Sequence, residues 1–222
     1  MDQNKQVKDL SLQAFQRMPY YLQYLKELYS EGATSVSAPS VSSHFGFSEI
    51  QVRKDFAAAS SSQGKPKYGF EIKDLIDDIE NLLGCQNTNE AALVGVGSLG
   101  RAFLQYGGFD AYGLKIVAAF DKNEELIGKN IHDKCILSVE KISDICRRMK
   151  IHIGIITVPA AQAQIVCDQL VAGGVLAIWN FAQVHLSVPK DILVQNENMA
   201  ASLALLSKHL REKMQKGKLV TP

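Results

Sequence analysis

The chain has 222 residues, 46% of them apolar and 21% charged, with a formal charge of +1. Those values suit one large or two small globular domains with a buried core. They exclude a uniformly basic nucleic-acid binder, so any DNA-binding surface must be local.

Residues 10–31 carry Leu12, Phe15, Met18, Leu22, Leu25 and Leu28 at spacings of three and four, which predicts an amphipathic helix ended by Gly32. Pro19 either kinks that helix or marks its start. Ser37 or Ser40 caps a short second helix through Val41 and Phe45, stopped by Gly46. Ser48 caps a third over residues 49–58, EIQVRKDFAA. Helix, short helix, glycine turn and helix is the order of a helix-turn-helix, whose last helix enters the DNA major groove. Here it carries Gln51, suited to adenine, Arg53, suited to guanine, and Lys54, suited to bases or phosphates. Residues 60–70 then read as a polar hairpin, a wing over backbone phosphates with Lys65 and Lys67 at its tip and Tyr68 beside them. The residues alone leave open a solvated helix face and a flexible linker.

Another amphipathic helix over residues 71–83 ends at Gly84, and the polar run 85–89 marks a domain boundary. The division expected is 1–85 for DNA binding, 90–197 for a nucleotide ligand, and 198–216 for a terminal helix. Residues 91–100, AALVGVGSLG, organise the second domain: an apolar strand runs into the G-x-G-x-x-G turn Gly95, Val96, Gly97, Ser98, Leu99, Gly100. The first glycine allows the bend, the second admits a pyrophosphate, and the third lets helix pack on strand. A helix starting near Ser98 offers its unpaired N–H groups to the phosphates. A second strand, residues 115–120, ends in Asp121, 21 residues past Gly100 and placed to bind an adenosine ribose. Asp121 favours NAD(H) over NADP(H), because a carboxylate repels a 2′-phosphate; Lys122 weighs the other way.

Strands at 151–157, 175–179 and 192–194, with a helix at 160–172, complete a parallel sheet covered on both faces. Ligands of such sheets bind beyond the strands' carboxyl ends, which carry Thr157, Val158, Pro159, Asn180 and Phe181. Residues 198–214 form a last helix whose stripe of Met199, Leu203, Leu206 and Leu210 must pack on its own domain or on a partner subunit.

The remaining residues argue against catalysis. No substrate domain follows the nucleotide sheet, His132, His152, His185 and His209 are scattered, and no catalytic or metal-ligand spacing stands out. Cys85, Cys135, Cys146 and Cys167 lie far apart and read as free thiols. No apolar run nears the roughly 18 residues of a bilayer span, and MDQNKQVKD has no signal-peptide core, so a cytoplasmic protein is expected.

Taken in order, Arg17-Met18-Pro19-Tyr20-Tyr21, Gln51-Val52-Arg53-Lys54-Asp55, Tyr68-Gly69-Phe70, the glycine turn, Tyr106-Gly107-Gly108-Phe109, Ile116-Val117-Ala118-Ala119-Phe120-Asp121, Thr157-Val158-Pro159-Ala160 and Asn180-Phe181-Ala182 resemble the Rex family of bacterial redox-sensing repressors. The resemblance implies a winged helix, a Rossmann domain, and a homodimer that exchanges its last helix. It also implies a repressor that senses the NADH to NAD+ ratio and leaves operator DNA when NADH closes the dimer. Two segments depart from the family. Residues 56–64 read FAAASSSQG where members carry a Ser-Tyr-Phe-Gly type path, and Asn198-Met199 stands where an Asp-Phe pair meets the other subunit's nicotinamide. In the family that aspartate pairs with residues matching Arg17 and Tyr106 as the redox state changes. Asn198 cannot form the charged pair, and Met199 packs less rigidly than an aromatic, so discrimination between NADH and NAD+ is expected to be weaker or differently wired. The alternatives are a regulator answering coenzyme A or ATP, and a small NAD-dependent oxidoreductase.

Overall fold

A computed structural model describes residues 10–61, 64, 68–85 and 89–218, and the chain divides into two units, residues 1–88 with 111–113, and residues 89–110 with 114–222. In the first, Ser11 accepts the Ala14 N–H and opens helix α1, Leu12–Ser30. Pro19 neither starts nor ends it; the helix runs through the proline. The strand β1, Ser35–Val36, leads to α2, Ala38–Phe45, with Ser37 rather than Ser40 as its cap and Gly46 left-handed at its end. Helix α3, Glu49–Ala59, starts at the expected cap Ser48.

Of the expected hairpin between α3 and the next helix, residues 62, 63 and 65–67 lie outside the described residues. Strand β2, Phe70–Glu71, pairs antiparallel with β1, Val36 opposite Phe70. At the other end, Asp78 of α4, Ile72–Leu83, accepts from the Ser61 N–H at 2.6 Å and its hydroxyl at 2.9 Å. Lys65 and Lys67 lie outside the described residues. Met18, Tyr21, Leu25, Val41, Val52, Phe56, Leu75 and Ile79 form the core of this unit, each worth about 1.5–3 kcal/mol when fully buried.

The second unit is a seven-stranded sheet in the order β5-β6-β4-β3-β7-β8-β9. Its strands are β3, Asn89–Val94; β4, Leu114–Asp121; β5, Asn130–Ile131; β6, Lys134–Ser138; β7, Ile153–Ile156; β8, Ala177–Asn180; and β9, Leu193–Asn196. All pairings are parallel except the β5–β6 hairpin. Helix α5, Ser98–Gln105, follows β3, α6, Ile142–Met149, precedes β7, and α7, Ala160–Ala172, precedes β8. Alternate residues of β3 face opposite cores: Ala92 and Val94 with Phe120 and Leu170, Ala91 and Leu93 with Ile116 and Ile136. The strands β5 and β6, helix α6 and the 3-10 turn Gly107–Tyr112 were not expected from the sequence.

Helix α8, Met199–Lys218, ends the described chain. Met199, Leu203, Leu205, Leu206, Leu210 and Met214 are all more than half exposed on it, so none of the described residues covers its apolar stripe. No helix among the described residues is long and apolar enough to cross a membrane.

Candidate functional site

Register puts the nucleotide crevice together. Val94 lies opposite Phe120 on one side and Ile156 on the other, so the next residues, Gly95, Asp121 and Thr157, meet where the chain reverses across the sheet. The three glycines divide their work as the motif requires. Gly95 has φ +100, and a side chain there would press on Thr157 and Val158. Gly97 has nothing within 4 Å of its would-be Cβ, which leaves its backbone open to a ligand. At Gly100 a Cβ would strike the Gly95 carbonyl, so no other residue fits. The Thr157 hydroxyl, 2.7 Å from the Gly95 carbonyl, pins the turn to β7.

Asp121 holds the same turn from β4. Its Oδ2 accepts the Val96 N–H at 2.6 Å and its Oδ1 the Asn123 N–H at 2.8 Å. Each oxygen keeps a further lone pair for a ribose hydroxyl. The crevice at this position measures about 540 Å³, and Gly95, Gly97, Asp121, Lys122, Thr157, Val158 and Pro159 line it. Ser98 is exposed at the start of α5, Leu99 is half-buried, and Val96 and Gly100 are buried. Sequence reasoning missed Val139 and one face of α7, Gln162, Ile165, Val166 and Gln169. Their spacing was visible, but it reads equally as a helix packed on a core. The buried Gln169 Oε1 has no hydrogen-bond partner, a deficit of about 1–3 kcal/mol.

Two expected ligand contacts go elsewhere. Asn180 is fully buried, and its side chain is consumed by the loop that follows β8: Nδ2 donates to the Val184 carbonyl and Asn196 Oδ1, and Oδ1 accepts the Ala182 N–H. Phe181 packs in an aromatic cluster with Phe103 and Trp179, at centroid distances of 4.8 Å to each. Tyr106 is 57% exposed with its ring edge-on to Phe109, and Met199 is exposed on α8.

In the N-terminal unit, Ser48, Gln51 and Lys54 line a groove of about 510 Å³ between α1 and α3 with Arg17, Ile50 and Asp55. Asp55 is 4% exposed and anchors α3. Its carboxylate accepts from Arg17 Nε at 2.8 Å, Arg17 Nη2 at 2.9 Å and the Tyr21 hydroxyl at 2.9 Å. The Asp55 hydrogen bond raises the Arg17 pKa, and burial, reinforced by Asp55, pushes the Tyr21 phenol well above its ordinary value. Gln51, with its amide carbonyl turned to the guanidinium, accepts from Arg17 at 2.9–3.1 Å, so in this state it faces α1 rather than outward. Arg53 is exposed and bonded to Glu49 at 2.6 Å, a surface pair worth only about 0.3–0.5 kcal/mol and easily exchanged for a phosphate or base. Lys54 and Tyr68 are exposed, as is Ile50, an apolar side chain in the first turn that the sequence reading passed over.

Residues 9–57 match a family described as "Putative DNA-binding protein N-terminus", and residues 86–184 one described as "CoA binding domain". A curated "Redox-sensing transcriptional repressor Rex" from Clostridium beijerinckii is 39% identical over 205 residues, covering 92% of this chain and 97% of its own. The chain belongs to the Rex family. A Rex repressor of Porphyromonas gingivalis is 35% identical over 195 residues, 88% of this chain and 89% of its own. Among solved structures, the Rex-family repressor RSP in complex with β-NAD+ and operator DNA has a TM-score of 0.84 at 32% identity, covering 96% of this chain and 97% of its own. RSP in complex with β-NADH gives 0.83, covering 96% and 99%. Of the residues expected to respond to redox state, Arg17 is engaged by Asp55, and Asn198 Oδ1 caps α8 by accepting the Ala201 N–H at 3.0 Å.

Proposed function

We propose that the chain is a cytoplasmic homodimeric repressor, not an enzyme, that binds operator DNA through α3 and its wing and is released when NADH occupies the crevice. The observation that carries this reading is the glycine turn held open at Gly97, backed by Asp121, in a chain that also has a helix-turn-helix and near full-length Rex relatives. Arg53, Lys54, Gln51 and Ser48 contact the operator, with Lys65, Lys67 and Tyr68 on its backbone; Gln51 must first leave Arg17. The pyrophosphate lies on Gly97 and Ser98, the ribose on Asp121, and Thr157, Val158 and Pro159 close the far wall. The exposed stripe of α8 supports a second copy as its cover, with Asn198 and Met199 brought to the partner's dinucleotide.

The energetics follow from linkage. NADH can shift the dimer only by its differential affinity for the two states, and moving a population from 99:1 to 1:99 needs a difference of about 10⁴-fold. Two recognition helices held at the wrong spacing miss successive major grooves. Arg53→Ala should abolish specific DNA binding and leave calorimetric NADH affinity unchanged. Loss of both together would refute the division of labour. The "CoA binding domain" match favours one second reading, coenzyme A in the same crevice; competition of coenzyme A against NADH decides between them.

A further inference from the structure

Gln162, Ile165, Val166 and Gln169 line the crevice at positions i, i+3, i+4 and i+7 of α7, which places them on one helix face. Two amides therefore bracket two apolar side chains. Ile165 is 64% exposed in the single chain, and Val139 and Val158 add further apolar lining. At 1.5 Å rise per residue the two amides are about 10 Å apart along the axis, a span that holds a nucleoside laid along the helix. Gln162 lies in the first turn of α7, which directly follows Thr157, Val158 and Pro159, so Gln169 marks the end away from the phosphate-binding turn.

Gln169 Oε1 is the one buried side-chain polar atom among the described residues that has no hydrogen-bond partner. Buried acceptors are almost always satisfied, and the residue that carries this one lines the crevice, so a turn of its side chain brings the acceptor to a ligand. We propose that Gln169 reads the base edge of the bound dinucleotide, its Oε1 accepting from the exocyclic amino group of adenine while the ring packs on Ile165 and Val166. The inference rests on the NAD(H) reading of the crevice and adds to it a residue that selects the base. Glutamine suits adenine because its carbonyl accepts from the amino group as its amide donates to the neighbouring ring nitrogen.

The test compares NADH with its hypoxanthine analogue, in which a carbonyl oxygen replaces the amino group, by calorimetry on the full chain. Wild type should prefer adenine by about tenfold, the worth of one net hydrogen bond. Gln169→Leu should bind the two alike, and Gln169→Glu, which only accepts, should keep or sharpen the preference. A Gln169→Leu variant that retains the wild-type preference overturns the proposal, as does a Gln169→Glu variant that loses it. If the leucine variant does not fold, the glutamate variant still decides. Equal binding by wild type overturns this assignment alone, whereas wild-type failure to bind either dinucleotide overturns the NAD(H) reading with it.

Discussion

Replacing Asp55 by alanine removes the acceptor that ties α3 to α1. Three hydrogen bonds are lost, and the Arg17 guanidinium, whose side chain is 17% exposed, is left without its carboxylate. Removing one partner of a buried pair costs about 3–5 kcal/mol. The partial exposure of Arg17 lets water take up some of its charge, which puts the loss at about 3 kcal/mol. With urea m-values of about 1–3 kcal/mol/M, the midpoint should fall by about 1–3 M. Circular dichroism follows the helices of both units, while the single tryptophan, Trp179 on β8, reports on the nucleotide unit alone, so the loss should show as a circular-dichroism transition that precedes the tryptophan one. Tyr21→Phe alone should cost about 1 kcal/mol. Added to Asp55→Ala it should cost almost nothing, because the hydroxyl has already lost its acceptor. Additive losses, or an Asp55→Ala cost below about 1 kcal/mol, would refute the anchoring role.

The glycine turn and Tyr21 yield two more tests. Gly100→Ala should fail to fold its turn, since the added methyl strikes the Gly95 carbonyl, whereas Gly97→Ala should fold normally and lose dinucleotide affinity; thermal melts paired with NADH titration separate the two, and normal folding of Gly100→Ala would contradict the packing. For Tyr21 the folded pKa is raised above its ordinary value of 10.0, so its contribution is complete below that pH and lost as pH climbs beyond it. Urea midpoints at pH 8 and about pH 11 should therefore fall further for wild type than for Tyr21→Phe; identical pH dependence would contradict the burial of that phenol.

What was legible in the sequence was local chemistry. Ser48 and Gly46 mark the helix-turn-helix because a cap and a left-handed stop act on their immediate neighbours. The glycine turn and Asp121 announce the crevice because their spacing is fixed by one βαβ unit. Long-range partners were not legible. Asp55 looked like part of a solvated RKD triplet, and only packing 34 and 38 residues away makes it the anchor of α3. Asn180 stood at the right strand end, but Val184 and Asn196 take its side chain. The region of β5, β6 and α6 escaped because two-residue and five-residue strands carry little periodicity.

The most direct measurement is a gel shift of the purified protein on its own upstream DNA at fixed moderate salt, since phosphate contacts make affinity strongly salt-dependent. NAD+ or NADH is added, with Asn198→Asp and Met199→Phe variants run alongside. Release by NADH and not by NAD+, sharper in the two variants than in wild type, is the predicted result. DNA binding indifferent to both dinucleotides would contradict the redox-sensing account.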